Sequence, residues 1–248
     1  MVIKISKAAI KYWEMKALEN GTAEIYMYGE ISSYDYWEED ITPTNFKKDL
    51  DALGEIKTLN IYINSPGGSV FAGQAIYNII KRHPAKVNMH VDGLAASIAS
   101  IILMAGDTIT IPSNAMIMIH DPWNIAMGNA RDMRKMADDL DNIAKSLIAV
   151  YVEKTGLSEE EITGMMNAET WLTGKEAVEK GFADHVESEK AIAACLKDGI
   201  LNINNQAMDF SRFKNAPKIM VSNQVNTEVP AAPTADEIEL VALELAFS

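Results

Sequence analysis

Two hydrophobic periods alternate along this chain. Residues 23–31 and 58–63 alternate apolar and polar positions and are rich in β-branched and aromatic side chains, the pattern of a half-buried strand. Residues 87–91 alternate in the same way, and the run from Asn114 to Ile119 reads as a buried strand. Between them, residues 70–80 carry apolar groups at helical spacing, and residues 95–105 have the small-residue, apolar look of a buried helix. From Asn129 to about Thr155 a long helix is predicted, with Met133, Met136, Leu140, Ile143, Leu147, Val150 and Tyr151 in one stripe and Gly156 as its stop. Ser158 with Glu161 then opens another capped helix. Strands and helices that alternate up to about residue 125 predict an α/β fold.

Beyond Val186 the periodicity degrades. Residues 215–235 hold Pro217, Pro230 and Pro233 among threonines and alanines, the composition of a linker, and residues 235–247 form an acidic amphipathic pattern. The expected division is an N-terminal segment 1–21, a main domain 22–188, an extension 189–214, and a linker with terminal helix 215–248. The tail reads equally as a docking element or as a disordered remnant.

Composition narrows the class. A chain of 248 residues, 48% apolar and 23% charged, can bury a sizeable core. A net charge of −13 argues against nucleic-acid binding. With Cys195 as the single cysteine no internal disulfide can form; it falls in an alanine-rich stretch, 191–196, expected to be a helix with the thiol as a buried spectator. The absence of a long apolar run or signal-peptide pattern predicts a soluble, cytoplasmic protein. No metal-ligand clustering is present, and no cofactor is expected.

Two strand-to-helix junctions carry the chemistry. In Asn64-Ser65-Pro66-Gly67-Gly68-Ser69, two glycines that tolerate positive φ leave main-chain N–H groups uncovered for an anionic oxygen. In Gly93-Leu94-Ala95-Ala96-Ser97-Ile98-Ala99-Ser100, a serine at a helix start stands among residues too small to shield it. Each junction alone also fits a tight turn or a capping serine. A nucleophilic serine needs a base. Of four histidines, His83 ends a charged helix, His90 lies inside a strand and His185 looks exposed, whereas His120 stands where a strand opens into a loop. For the acid that orients it, Glu169 ranks just ahead of Asp121 and Asp92.

These four stretches, in this order, resemble the ClpP-type serine peptidases over about residues 22–188: the run 63–70, Gly93 to Ser97, Met116 to His120, and Glu169-Thr170-Trp171-Leu172-Thr173 with residues 176–184. The resemblance implies a spiral of ββα units, as also found in crotonases, with a protruding handle helix and the C-terminal extension appended. It implies Ser97 as nucleophile, His120 as general base, Glu169 as the orienting acid where the housekeeping enzymes have aspartate, and the Gly68 and Ile98 amides as the oxyanion hole. It also implies homo-oligomeric rings, stacked through the handle, acting on protein or peptide substrates. The opening residues depart from the housekeeping pattern that docks an unfoldase. With His120-Asp121-Pro122-Trp123 they are similar to the ClpP-related head maturation proteases of phages and prophages. That subtype implies an ATP-independent endopeptidase acting on capsid or scaffold proteins, within the host cytoplasm or assembling capsids, with neither membrane nor nucleic acid as partner. The alternatives are a housekeeping-type subunit working with an unfoldase ATPase, a crotonase-like acyl-CoA enzyme, and an inactive structural subunit.

Overall fold

The computed structural model describes residues 11–32, 42–188 and 213–216, together with the backbone of three short strands between 194 and 209. The chain divides into two units, residues 1–217 and residues 218–248. The second unit, with most of the expected linker and all of the acidic helical pattern, lies outside the described residues.

In chain order the elements are β1 (Trp13–Ala17), β2 (Thr22–Tyr28), α1 (Pro43–Ala52), β3 (Thr58–Ser65), α2 (Val70–Lys81) and β4 (Lys86–Ala96). They continue with α3 (Ile98–Leu103), β5 (Thr108–Pro112), β6 (Met116–Ile119), α4 (Ala130–Thr155) and α5 (Glu159–Asn167). The last are β7 (Thr170–Thr173), α6 (Gly174–Glu179), β8 (His185–Glu187), β9 (Ala194–Lys197), β10 (Ile200–Ile203) and β11 (Gln206–Asp209). The main sheet runs β1-β2-β3-β4-β5-β8, and β6 branches from β4 to carry β7. Its pairings are parallel except β1–β2 and β6–β7. Parallel strands need crossovers, and α2 and α3 supply them between β3, β4 and β5. This is the mixed α/β arrangement expected of a ClpP-type fold.

The core follows from the two periods. Leu59, Ile61 and Ile63 of β3 and Val87, Met89 and Val91 of β4 turn inward on alternate positions, while α2 presents Ala72, Gly73, Ile76, Tyr77 and Ile80 from one face. The opposite sheet face is polar and aromatic: Tyr62 stacks between Tyr26 and His90, with ring centroids 4.8 and 4.9 Å away. There the Tyr28 hydroxyl donates to Asp92, so one of the three candidate acids is spoken for on this face.

Three expectations change. The described part of the N-terminal segment belongs to the main body: β1 extends the sheet, Tyr12 and Trp13 are buried, and the Trp13 indole donates to Asp49 of α1 at 2.8 Å. Ala95 and Ala96 continue β4 rather than opening a helix, because β6 pairs with Leu94, Ala95 and Ala96. Cys195 lies in strand β9, where pairing with β10 overrides the helical preference of its alanine neighbours.

Helix α4 begins with a full capping box, Asn129 and Asp132, and ends at Gly156 with φ of 73°. At 26 residues it is about 39 Å long. Only Leu147, Ile148 and Tyr151 are buried, so the expected stripe packs at its C-terminal end while the first turns stand largely exposed. No helix among the described residues is long and apolar enough to cross a membrane.

Candidate active site

Ser97 joins β4 to α3 in a conformation rare for a side-chain-bearing residue, with φ 54° and ψ −130°. Such a backbone costs about 1–3 kcal/mol and persists only where its neighbours enforce it. Here they do. The Ser97 amide donates to Met118 O at 2.9 Å, and the Ser97 carbonyl accepts from the Ser100 amide at 3.0 Å and hydroxyl at 2.6 Å. The Ser100 hydroxyl in turn meets the Tyr151 hydroxyl, 2.7 Å away and fully buried on α4. Burial pushes the Tyr151 phenol well above its ordinary pKa, so it stays a neutral hydrogen-bonding group. The sharp turn lifts Ser97 out of the strand, the geometry that exposes a nucleophilic hydroxyl.

His120 follows the last residue of β6. Since β6 runs parallel to β4 with Ala96 opposite Met118, the two chain ends emerge side by side, and His120 Nε2 lies 2.8 Å from Ser97 Oγ. That is hydrogen-bond distance for a base and the proton it would remove.

The glycine turn presses on the same point. Gly67 and Gly68 have φ of 91° and 144°; a Cβ on Gly67 would sit 2.6 Å from Ser97 Cβ and 3.1 Å from Ile98 N, and one on Gly68 would strike the Ile31 carbonyl. Only glycine fits either place. The turn is stitched to Ile31, whose amide donates to Gly67 O at 2.8 Å and whose carbonyl accepts from Ser69 N at 2.7 Å. Further along α2, Gly73 leaves room for the Ile98 side chain. The Gly68 and Ile98 amides donate to no other group among the described residues.

Glu169 departs from its expected place. Strand β7 pairs antiparallel with β6 as far as Thr170 opposite Ile119, which leaves Glu169 and His120 each just beyond the end of the ladder. Its carboxylate nevertheless accepts from Asn215 N at 2.6 Å, Lys214 N at 2.9 Å and the Trp171 indole at 3.2 Å, and not from His120. A carboxylate held by two main-chain amides and an indole is well satisfied, and the turn at Glu169, with φ 49°, carries it to them. Asp121 stands beside His120 in sequence, and its carboxyl is pushed above the usual carboxylate range by burial and by Asp141. The other histidines stay away from Ser97: His83 caps its own turn by accepting from Ala85 N at 3.2 Å, His90 stacks on Tyr62 and His185 is exposed in β8.

Residues that sequence reasoning missed line the same cleft. A cavity of about 220 Å³ opens over Ser97 and His120, bordered by Gly68, Val70, Trp123 and Phe213. It adjoins a larger one of about 620 Å³ that reaches Phe71 and, on α4, Leu140 and Ile143. Phe213 had no local signal, because its position depends on contacts with residues more than 40 positions earlier. No cluster of three His, Cys, Asp or Glu side chains that could hold a metal ion occurs among the described residues.

A parallel sheet branching into a short antiparallel pair thus brings a serine and a histidine together at adjoining strand ends. The chain belongs to the Clp protease family, whose model matches residues 22–190. It is 35% identical over 144 residues to the ATP-dependent Clp protease proteolytic subunit of Bacteroides fragilis, covering 57% of this chain and 69% of that protein. It is 36% identical over 145 residues to proteolytic subunit 2 of Mycolicibacterium paratuberculosis, 57% of this chain and 72% of the relative. A third relative, proteolytic subunit 1 of Corynebacterium jeikeium, is 36% identical over 140 residues, covering 55% and 74%.

Proposed function

We propose that this protein is a serine endopeptidase in which Ser97 forms the acyl-enzyme and His120 is the general base. The observation that carries this reading is the 2.8 Å contact between Ser97 Oγ and His120 Nε2 at a strained turn abutting the glycine turn. His120 takes the hydroxyl proton as Ser97 attacks a peptide carbonyl, then returns it to the leaving amine. The Gly68 and Ile98 amides receive the oxyanion of the tetrahedral intermediate; each donor of this kind contributes about 10²–10³ in rate. A crotonase-type reaction would need no such serine–histidine pair. Glu169 is left with a supporting role, because its carboxylate serves residues 214 and 215.

The physiological assignment is a head maturation protease, cutting capsid or scaffold proteins in homo-oligomeric rings without ATP. It rests on the resemblance of the opening residues, Val91 to Ser97, His120-Asp121-Pro122-Trp123 and Glu169 to Thr173 to that subtype. A second reading is favoured by the relatives, which are named ATP-dependent proteolytic subunits. A fluorophosphonate probe tests the chemistry: wild type is labelled at Ser97, Ser97→Ala is not, and His120→Ala slows labelling by several orders of magnitude. A folded, assembled wild type that resisted the probe would end the peptidase reading. Co-expression with neighbouring capsid proteins, with cleavage sites mapped, separates the two physiological roles. Cutting only when an unfoldase and ATP are added would favour the second.

A further inference from the structure

Residues 213–216 form no strand or helix, yet they are fastened at several points. Lys214 N and Asn215 N donate to the Glu169 carboxylate, and Asn215 Nδ2 donates to Ala168 O at 2.9 Å. The Phe213 ring stands edge-on to both His120 and Trp171, each 5.7 Å between centroids, and packs with Leu94, Ala96 and Met118. Only 7% of Phe213 is exposed. Charge-assisted bonds to one carboxylate from consecutive main-chain amides fix the backbone on which that ring is carried.

The fixed ring borders the cavity over the reacting atoms. At about 220 Å³ this cavity is smaller than the roughly 300–1,000 Å³ of sites for whole small molecules, and suits a single side chain. Val70, Trp123 and Phe213 form its apolar side, and Glu30, Ser97 and His120 its polar side. Phe213 also lies beyond residues 22–190, the part that matches the family, so this wall is supplied by the chain's own extension.

We infer that Phe213 is a specificity-determining residue: its ring bounds the substrate side-chain subsite beside Ser97 and His120, and the Glu169–Lys214–Asn215 clamp holds it there. The ring therefore limits how far a substrate side chain extends past Ser97, and compact side chains are taken in preference to aromatic ones. Glu169 acts through this clamp as a positioning residue rather than on the base. The inference rests on the serine peptidase reading.

The test uses the full chain and fluorogenic peptides that carry Ala, Leu, Phe or Trp at each residue flanking the scissile bond. Wild type cleaves the Leu peptide faster than the Phe and Trp peptides. Phe213→Ala raises kcat/KM for Phe and Trp relative to Leu by about tenfold, within the range a pocket of changed size delivers. Phe213→Trp moves preference the other way, toward Ala. Asn215→Pro keeps the ring but removes the amide donor at 2.6 Å, and shifts preference in the same direction as Phe213→Ala. Fluorophosphonate labelling of Ser97 is measured beside the peptides, so that an effect through His120 shared by every substrate is separated from a change in their ratios. Unchanged peptide ratios in folded Phe213→Ala and Asn215→Pro would overturn the assignment. So would a uniform rise for all peptides and the probe, which would make the segment a cover, or a uniform fall, which would make it a support for His120. Absence of labelling in wild type would remove the peptidase reading and this assignment together; labelling with unchanged ratios removes this assignment alone.

Discussion

Substituting alanine for Gly67 tests whether the glycine turn and the nucleophile form one site. The new Cβ would sit 2.6 Å from Ser97 Cβ and 2.8 Å from Ala96 O, where carbon atoms prefer about 3.5–4.0 Å. Neither neighbour is the free end of a flexible side chain, so relief requires the turn to retreat by about 1 Å. A positive φ on a residue with a side chain adds about 1–3 kcal/mol, and overpacking of this kind about 1–3 kcal/mol more. At about 2–4 °C per kcal/mol for a domain of this size, the midpoint of thermal unfolding falls by about 4–24 °C. Retreat of the turn also withdraws the Gly68 amide from the oxyanion, which lowers the fluorophosphonate labelling rate by about 10²–10³. Gly54→Ala is the matched control: its φ is 79°, but nothing lies within 4 Å, so it carries the backbone strain without the collision. It should lose a few degrees and label at the wild-type rate. If Gly67→Ala remained folded and labelled as fast as Gly54→Ala, the two junctions would not be parts of one acyl-transfer site.

Two further outcomes follow from named contacts. Glu169→Gln weakens three hydrogen bonds without touching His120, so it costs about 1–2 kcal/mol in thermal stability and less than tenfold in labelling. A loss as large as that of His120→Ala would return the acid to the base. The Asp49 carboxyl is pushed up by burial, but the Trp13 indole and the Lys11 ammonium outweigh this and hold it below its ordinary value. A carboxylate of lowered pKa stabilises fully above its unfolded value of about 3.9 and loses that contribution as pH falls through the folded value. Wild type should therefore exceed Asp49→Asn in unfolding midpoint at neutral pH and converge with it in strong acid; a gap of constant size would refute the charge-based account.

The two junctions were legible in the sequence because their chemistry is local. Gly67 and Gly68 announce positive φ, and Ser97 reads as a helix start among alanines too small to shield it, so neighbours along the chain suffice to single them out. His120 was legible for the same reason, at the end of an apolar run. Ala95 and Ala96 were not: their strand conformation depends on β6, some twenty residues later. Cys195 fails likewise, since pairing between β9 and β10 decides its backbone. Glu169 lies in between. Its place just past the β6–β7 ladder follows from strand pairing, but the direction of its side chain is set by amides 45 and 46 residues further on, which no local pattern encodes.

The vacancy that Gly73 leaves for the Ile98 side chain has a consequence for how this cleft can change. With Gly67 set against Ser97 and Gly73 against Ile98, the two strand-to-helix junctions are keyed together at two places, and a larger residue at either would jam. That jaw is fixed and carries Ser97 and the proposed oxyanion amides. The opposing jaw is a four-residue strap outside the segment common to the family, fastened mainly by hydrogen bonds to one carboxylate. On the proposed assignments, substrate choice can drift, or be engineered, by rewriting residues 213–216 while Ser97, His120 and the glycine turn stay in place.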